Sequence, residues 1–180
     1  MILALLHPAS GSAAGFLAGL MHPWSGLDHI AAMVAVGVWG AQLGSPAIWF
    51  LPVTFPLMMA VGGMLGLLGV PLPGIELGIA LSALFLGGMV LAERRPRLAV
   101  AASLVGLFAL FHGHAHGTEL PPGHSALLYS IGFVVGTGCL HGVGIGLGLA
   151  HRWPAGRVAL RVLGACIAVA GVYFLQRALA

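Results

Sequence analysis

Lysine is absent from this sequence, and its acids are only Asp28, Glu76, Glu93 and Glu119. Charged residues make up 6% of the chain, against about a quarter in a soluble domain. That scarcity excludes a water-soluble globular protein. The seven basic residues are all arginines, and they gather near the ends of apolar runs. Such a pattern marks membrane topology and excludes a nucleic-acid surface. Cysteines number two, Cys139 and Cys166, with no paired spacing. They read as small packing residues and exclude a thiolate site for copper(I) or an iron–sulfur cluster. No segment resembles a nucleotide-binding loop, so this chain does not hydrolyse ATP.

What is present is grease. Hydrophobic residues make up 59% of the chain, and the mean hydropathy is +1.06. A membrane span needs about 20 mostly apolar residues, and several such stretches follow one another. A closed barrel would need polar and apolar residues to alternate, which they do not. The fold class is therefore all-α, a polytopic transmembrane bundle of six or seven helices in a single domain over residues 1–180. Breaks at Pro/Gly clusters and arginines place the spans at 8–21, 24–43, 47–69, 74–92, 98–113, 125–150 and 157–178. The first is too short to cross upright. "MILALL" before it lacks the basic residues of a signal peptide.

Arg94, Arg95 and Arg97 lie in one connection, and Arg152, Arg157 and Arg161 in and just after another. Two spans separate the groups, so both lie on one side, assigned to the cytoplasm. The histidine-rich 113–124 loop is then outside. Glycines recur four residues apart, as at Gly62 and Gly66 or Gly132 and Gly136, a spacing that lets membrane helices approach closely. The run "HGVGIGLG" from His141 is dense enough in glycine to loosen its helix.

Nine histidines are the most unusual feature of the composition. "HPWSGLDHIAAM" places His22, Asp28, His29 and Met33 in and beside the second span. With Pro23 as a first helical residue, His22, His29 and Met33 share one face, and Asp28 turns aside to a neighbour or a histidine ring. A carboxylate at mid-helix costs about 2.5–3.5 kcal/mol to insert, and such groups face a cavity or a partner. A metal cation would offset that cost. A His–Asp pair that merely locks two helices is the plainer alternative. "FHGHAHG" supplies His112, His114 and His116. His112 and His116 share a helical face; His114 joins them only if the helix has ended. Glu76 opens its span, where a carboxylate also suits the helix dipole. His141 lies deeper and is a candidate for lining a path, as is Glu76. The polar groups form a rough column from outside inward.

Imidazole with carboxylate suits nickel, cobalt, zinc or copper(II), and disfavours calcium and magnesium. Ligand type alone does not choose among the four. A metal sensor or chaperone, or a histidine-rich membrane metalloenzyme without net ion flux, uses the same residue types and stands as the alternative to a transporter. No prosthetic group is expected in the transport reading. The partners are the ion and the lipid bilayer, with a homo-oligomer left open.

"HPWSGLDH" matches the H-P-x-x-G-x-D-H signature of the HupE/UreJ proteins, and "FHGHAHG" resembles their second histidine motif. The hydrophobic profile is similar over nearly the whole chain. The resemblance implies a bacterial inner-membrane permease for nickel, in some members cobalt, linked to supply of hydrogenase and urease. It carries the metal-handling role onto His22, Asp28 and His29, and onto His112, His114 and His116. His7–Pro8 is similar to the His-Pro that follows a cleaved leader in such proteins.

Overall fold

The computed structural model describes residues 8–118 and 125–180. His7, Glu119 and His124, with half of the outer loop expected at 113–124, lie outside the described residues. Among the described residues seven α-helices follow one another: α1 (Pro8–Ser25), α2 (Leu27–Leu43), α3 (Ala47–Leu67), α4 (Ile75–Leu91), α5 (Leu98–Thr118), α6 (Ala126–Gly148) and α7 (Pro154–Leu179). A 3-10 turn, Leu149–Arg152, joins the last two. No strand occurs among the described residues. Four of the helices, α3, α5, α6 with its 3-10 extension, and α7, are long and apolar enough to cross a membrane. α2 and α4 are apolar but shorter.

α2 is the central helix. Every residue from Ala32 to Gln42 is buried, as befits a helix that is apolar all round. Around it α3 packs on α5, α4 on α7, and α1 on α6, while α2 itself touches α6, α4 and α3. The helix with the misplaced carboxylate is thus the one most shielded from lipid. At the arginine end, Trp39 Nε1 donates to the Arg94 carbonyl at 2.9 Å and Gln42 Nε2 to the Val90 carbonyl at 3.2 Å. These bonds tie α2 to the end of α4 and to the connection that follows it.

Since lipid is as apolar as leucine, backbone proximity has to replace hydrophobic drive between helices. Gly37 of α2 faces Gly144 of α6: a Cβ on Gly37 would stand 2.3 Å from the His141 carbonyl, and one on Gly144 2.4 Å from that of Val34. Gly142 and Gly146, by contrast, have nothing within 4 Å of a built Cβ. The glycine-dense run does not loosen its helix, and α6 stays regular to Gly148.

Three expectations change. α1 runs through Pro23 to Ser25, so His22 belongs to the last turn of α1 and does not share a helix face with His29 and Met33. The break falls instead at Gly26, whose backbone is extended at φ −108°, ψ 124°. Ser25 Oγ donates to the His22 carbonyl at 2.6 Å and so satisfies an acceptor at the frayed end. α5 continues past residue 113 to Thr118, because Gly113 and the histidines around it are packed against neighbouring helices. A Cβ on Gly113 would lie 2.0 Å from the Met59 carbonyl. Cys139 and Cys166, expected in packing, are exposed on the bundle surface.

Candidate metal site

Asp28 lies in the first turn of α2, where the helix dipole favours a negative charge. Its Oδ1 accepts both the His29 backbone N–H and His29 Nδ1–H, each at 2.8 Å. Gly26 makes room for this fold-back. A Cβ there would stand 2.6 Å from Asp28 Oδ1 and 2.9 Å from His29 Nδ1. With Nδ1 donating to the carboxylate, His29 presents the lone pair of Nε2 on the other side of its ring. A carboxylate behind a ligating imidazole is how metal sites fix the tautomer and raise the ring's basicity.

His29 Nε2 stands 2.7 Å from Nε2 of His116 on α5. With His29 neutral its Nε2 is bare, and the proton between them comes from His116. Two nitrogens bound to one metal at about 2.1 Å each, at right angles, lie roughly 3 Å apart. The pair is thus spaced for a shared ion in place of a shared proton.

His112, one turn before His116, is held from α4. Ser82 Oγ donates to the Ile79 carbonyl at 2.6 Å, so toward His112 Nε2, 2.9 Å away, it accepts. His112 therefore carries its proton on Nε2. Its buried Nδ1 has no hydrogen-bond partner and is left with a lone pair. The His112 and His29 rings meet edge to face at 4.9 Å between centroids. His22 completes the group from α1, its ring 4.7 Å from that of His116 and 6.3 Å from that of His29.

Four imidazoles from three helices thus gather beside one carboxylate. Phe133 and Tyr129 of α6 wall the cluster on one side, with the Phe133 ring 4.3 Å from His116. Phe55 of α3 packs on His112 at 5.6 Å. A cavity of about 260 Å³ between α3, α5 and α6, lined by Met59, Gly63, Tyr129 and Phe133 among others, reaches His116. Among the described residues no group of three or more His, Cys, Asp or Glu side chains is placed to hold a metal ion. The cluster is held by hydrogen bonds, with His29 and His116 as its closest pair.

The remaining residues singled out in the sequence lie elsewhere. His114 turns away along α5, and its Nε2 donates to the Val70 carbonyl at 2.7 Å. Met33 is fully buried in the apolar core. Glu76 is exposed at the start of α4, beside a separate cavity lined in part by Ala115 and Thr118. His141 is fully buried on α6, with Phe55 edge-on at 5.3 Å. His151 Nδ1 donates to the Gly148 carbonyl at 2.8 Å.

Ser82, Gly26 and the aromatic walls Phe55, Tyr129 and Phe133 are the site residues that sequence reasoning missed. Gly26 had a signal, as the only glycine between His22 and His29. A single serine and scattered aromatics in apolar helices had none.

Among curated proteins, Protein HupE of Rhizobium leguminosarum bv. viciae is 50% identical over 161 residues, which is 89% of this chain and 84% of that protein. No solved structure matches the chain. A family model described as HupE / UreJ protein matches residues 1–174, nearly the full length and both histidine motifs, and with these motifs packed together around Asp28 the chain belongs to the HupE/UreJ family.

Proposed function

We propose that the protein takes a divalent transition-metal ion, nickel or cobalt, across the bacterial inner membrane into the cytoplasm. The observation that carries this reading is the His29–His116 nitrogen pair, 2.7 Å apart and backed by Asp28. In the bundle interior an ionisable group faces a partner or an ion pathway, and here the partners are further imidazoles, the ligands that borderline divalent ions prefer. His22 and His116 meet the ion first, next to the outer end of α5. Asp28 and His29 replace part of its water shell, and His112 receives it one turn deeper. His141 lies further along the same column. Family membership and the motif resemblance support nickel and cobalt over zinc and copper, and a supply role for hydrogenase and urease. A path must bind strongly enough to strip water and weakly enough to release, and neutral imidazoles with a single carboxylate meet both demands.

The test is uptake of radioactive nickel into proteoliposomes. Asp28→Asn and His29→Ala are each expected to reduce initial rates at least ~100-fold while the protein inserts normally. Wild-type rates in both variants would remove the motif from the mechanism. Binding without accumulation in wild-type vesicles would favour the sensor or chaperone alternative.

A further inference from the structure

We propose that His141 and the backbone carbonyl of Pro52 form a second station for the divalent cation, beside Phe55. The inference rests on the transport reading and extends it inward.

His141 is 1% exposed, and neither ring nitrogen makes a hydrogen bond of good geometry. The backbone carbonyl of Pro52 on α3 lies near its ring. That carbonyl is unusual for a helical one. α3 carries prolines at positions 52 and 56, and a proline has no N–H to give the residue four before it. Pro56 therefore leaves the Pro52 oxygen without its helical donor. In a membrane interior a freed carbonyl has to find another partner, and the imidazole of His141 lies near it. Thr137 lies one turn before His141 on the same face of α6, and its buried hydroxyl also has no partner.

Phe55 touches both this group and the outer cluster. It is fully buried, with its ring 5.6 Å from that of His112 and 5.3 Å from that of His141. Along α6, His141 comes eight residues after Phe133, which touches His116; that is a rise of about 12 Å. The two polar groups are thus distinct stations in series, with an aromatic ring in contact with both.

Their chemistry differs in a useful direction. The outer cluster has a carboxylate and four imidazoles; the inner group has one imidazole, one carbonyl and one hydroxyl, all neutral. Nitrogen and oxygen donors of this kind accept a borderline divalent ion. Without a charge to hold it, the ion leaves readily, as the last station before release requires.

Nickel chloride titrated into the full-length protein in lipid nanodiscs tests the assignment. Two ions bind per chain in the wild type. His141→Ala keeps the first event within about twofold and loses the second. Pro56→Ala, which returns an N–H to the Pro52 carbonyl and leaves His141 in place, weakens the second event by roughly tenfold and spares the first. A single ion in the wild type, or two undiminished events in His141→Ala, overturns the inner station. A second event unchanged in Pro56→Ala removes the carbonyl from it. Asp28→Asn reports separately on the outer site: it weakens the first event, and an indifferent first event there contradicts the outer reading and leaves the inner one standing.

Discussion

His29 and His116 are 87 positions apart in the chain, yet their Nε2 atoms stand 2.7 Å apart. One ring has its Nδ1 proton held by a carboxylate, so with that ring neutral His116 donates and His29 accepts. An ion that takes that proton's place inherits a lone pair already aimed.

Proton competition follows. Each imidazole that ligates the ion gives up a ring proton or keeps one off, so affinity is full at alkaline pH and is lost as the solution is acidified. Nickel affinity is therefore expected to fall on acidification. Equilibrium dialysis between pH 7.5 and 5.5 measures the slope, and a flat line contradicts imidazole ligation.

Ser82 is expected to act through His112. Its hydroxyl proton is committed to the Ile79 carbonyl, which leaves it only able to accept from His112. Ser82→Ala frees the tautomer and strands a buried N–H. Nickel affinity should drop ~10–100-fold, the usual consequence of losing the group behind a ligand. Ser82→Thr, which keeps the oxygen, should restore most of it. Equal affinity in wild type and Ser82→Ala would show that the tautomer is set by something else.

Gly26 is expected to be intolerant for a local reason. Its backbone dihedrals suit alanine, so strain is not the issue. The added methyl would meet Asp28 Oδ1 and His29 Nδ1 and push the pair apart. Gly26→Ala should lower nickel uptake at least ~10-fold without loss of folded protein. Gly142→Ala, where a Cβ meets nothing within 4 Å, serves as the control and should transport normally. Similar rates in the two variants would contradict the account of Gly26.

Much of this was legible in the sequence. Proline, glycine and arginine punctuate an otherwise apolar chain, so helix positions could be read to within a few residues over most of its length. Asp28 and His29 were visible because carboxylates and imidazoles are expensive in lipid. The limits of α1 and α5 were harder. Pro23 resembles a helix start, but the bend that the chain needs sits at Gly26, where the Asp28–His29 pair folds back. The run of histidines after residue 111 resembles a polar loop, yet it is helical because His112 and His116 are buried against α1, α2 and α4. Which histidines face each other depends on the rotation of α5 against α2, and that is set by backbone contacts such as Gly113 on Met59. Periodicity within one helix does not carry that information. Hence His114, equal to its neighbours in the sequence, ends on the Val70 carbonyl.

Anomalous diffraction at the nickel edge, from crystals of the full chain soaked in a nickel salt, tests the central claim most directly. The account predicts a peak about 2.1 Å from Nε2 of both His29 and His116, with the Asp28 bond to His29 Nδ1 intact. A strong peak elsewhere, at His114 or on the protein surface, with the His29–His116 pair undisturbed and still sharing its proton, would contradict it.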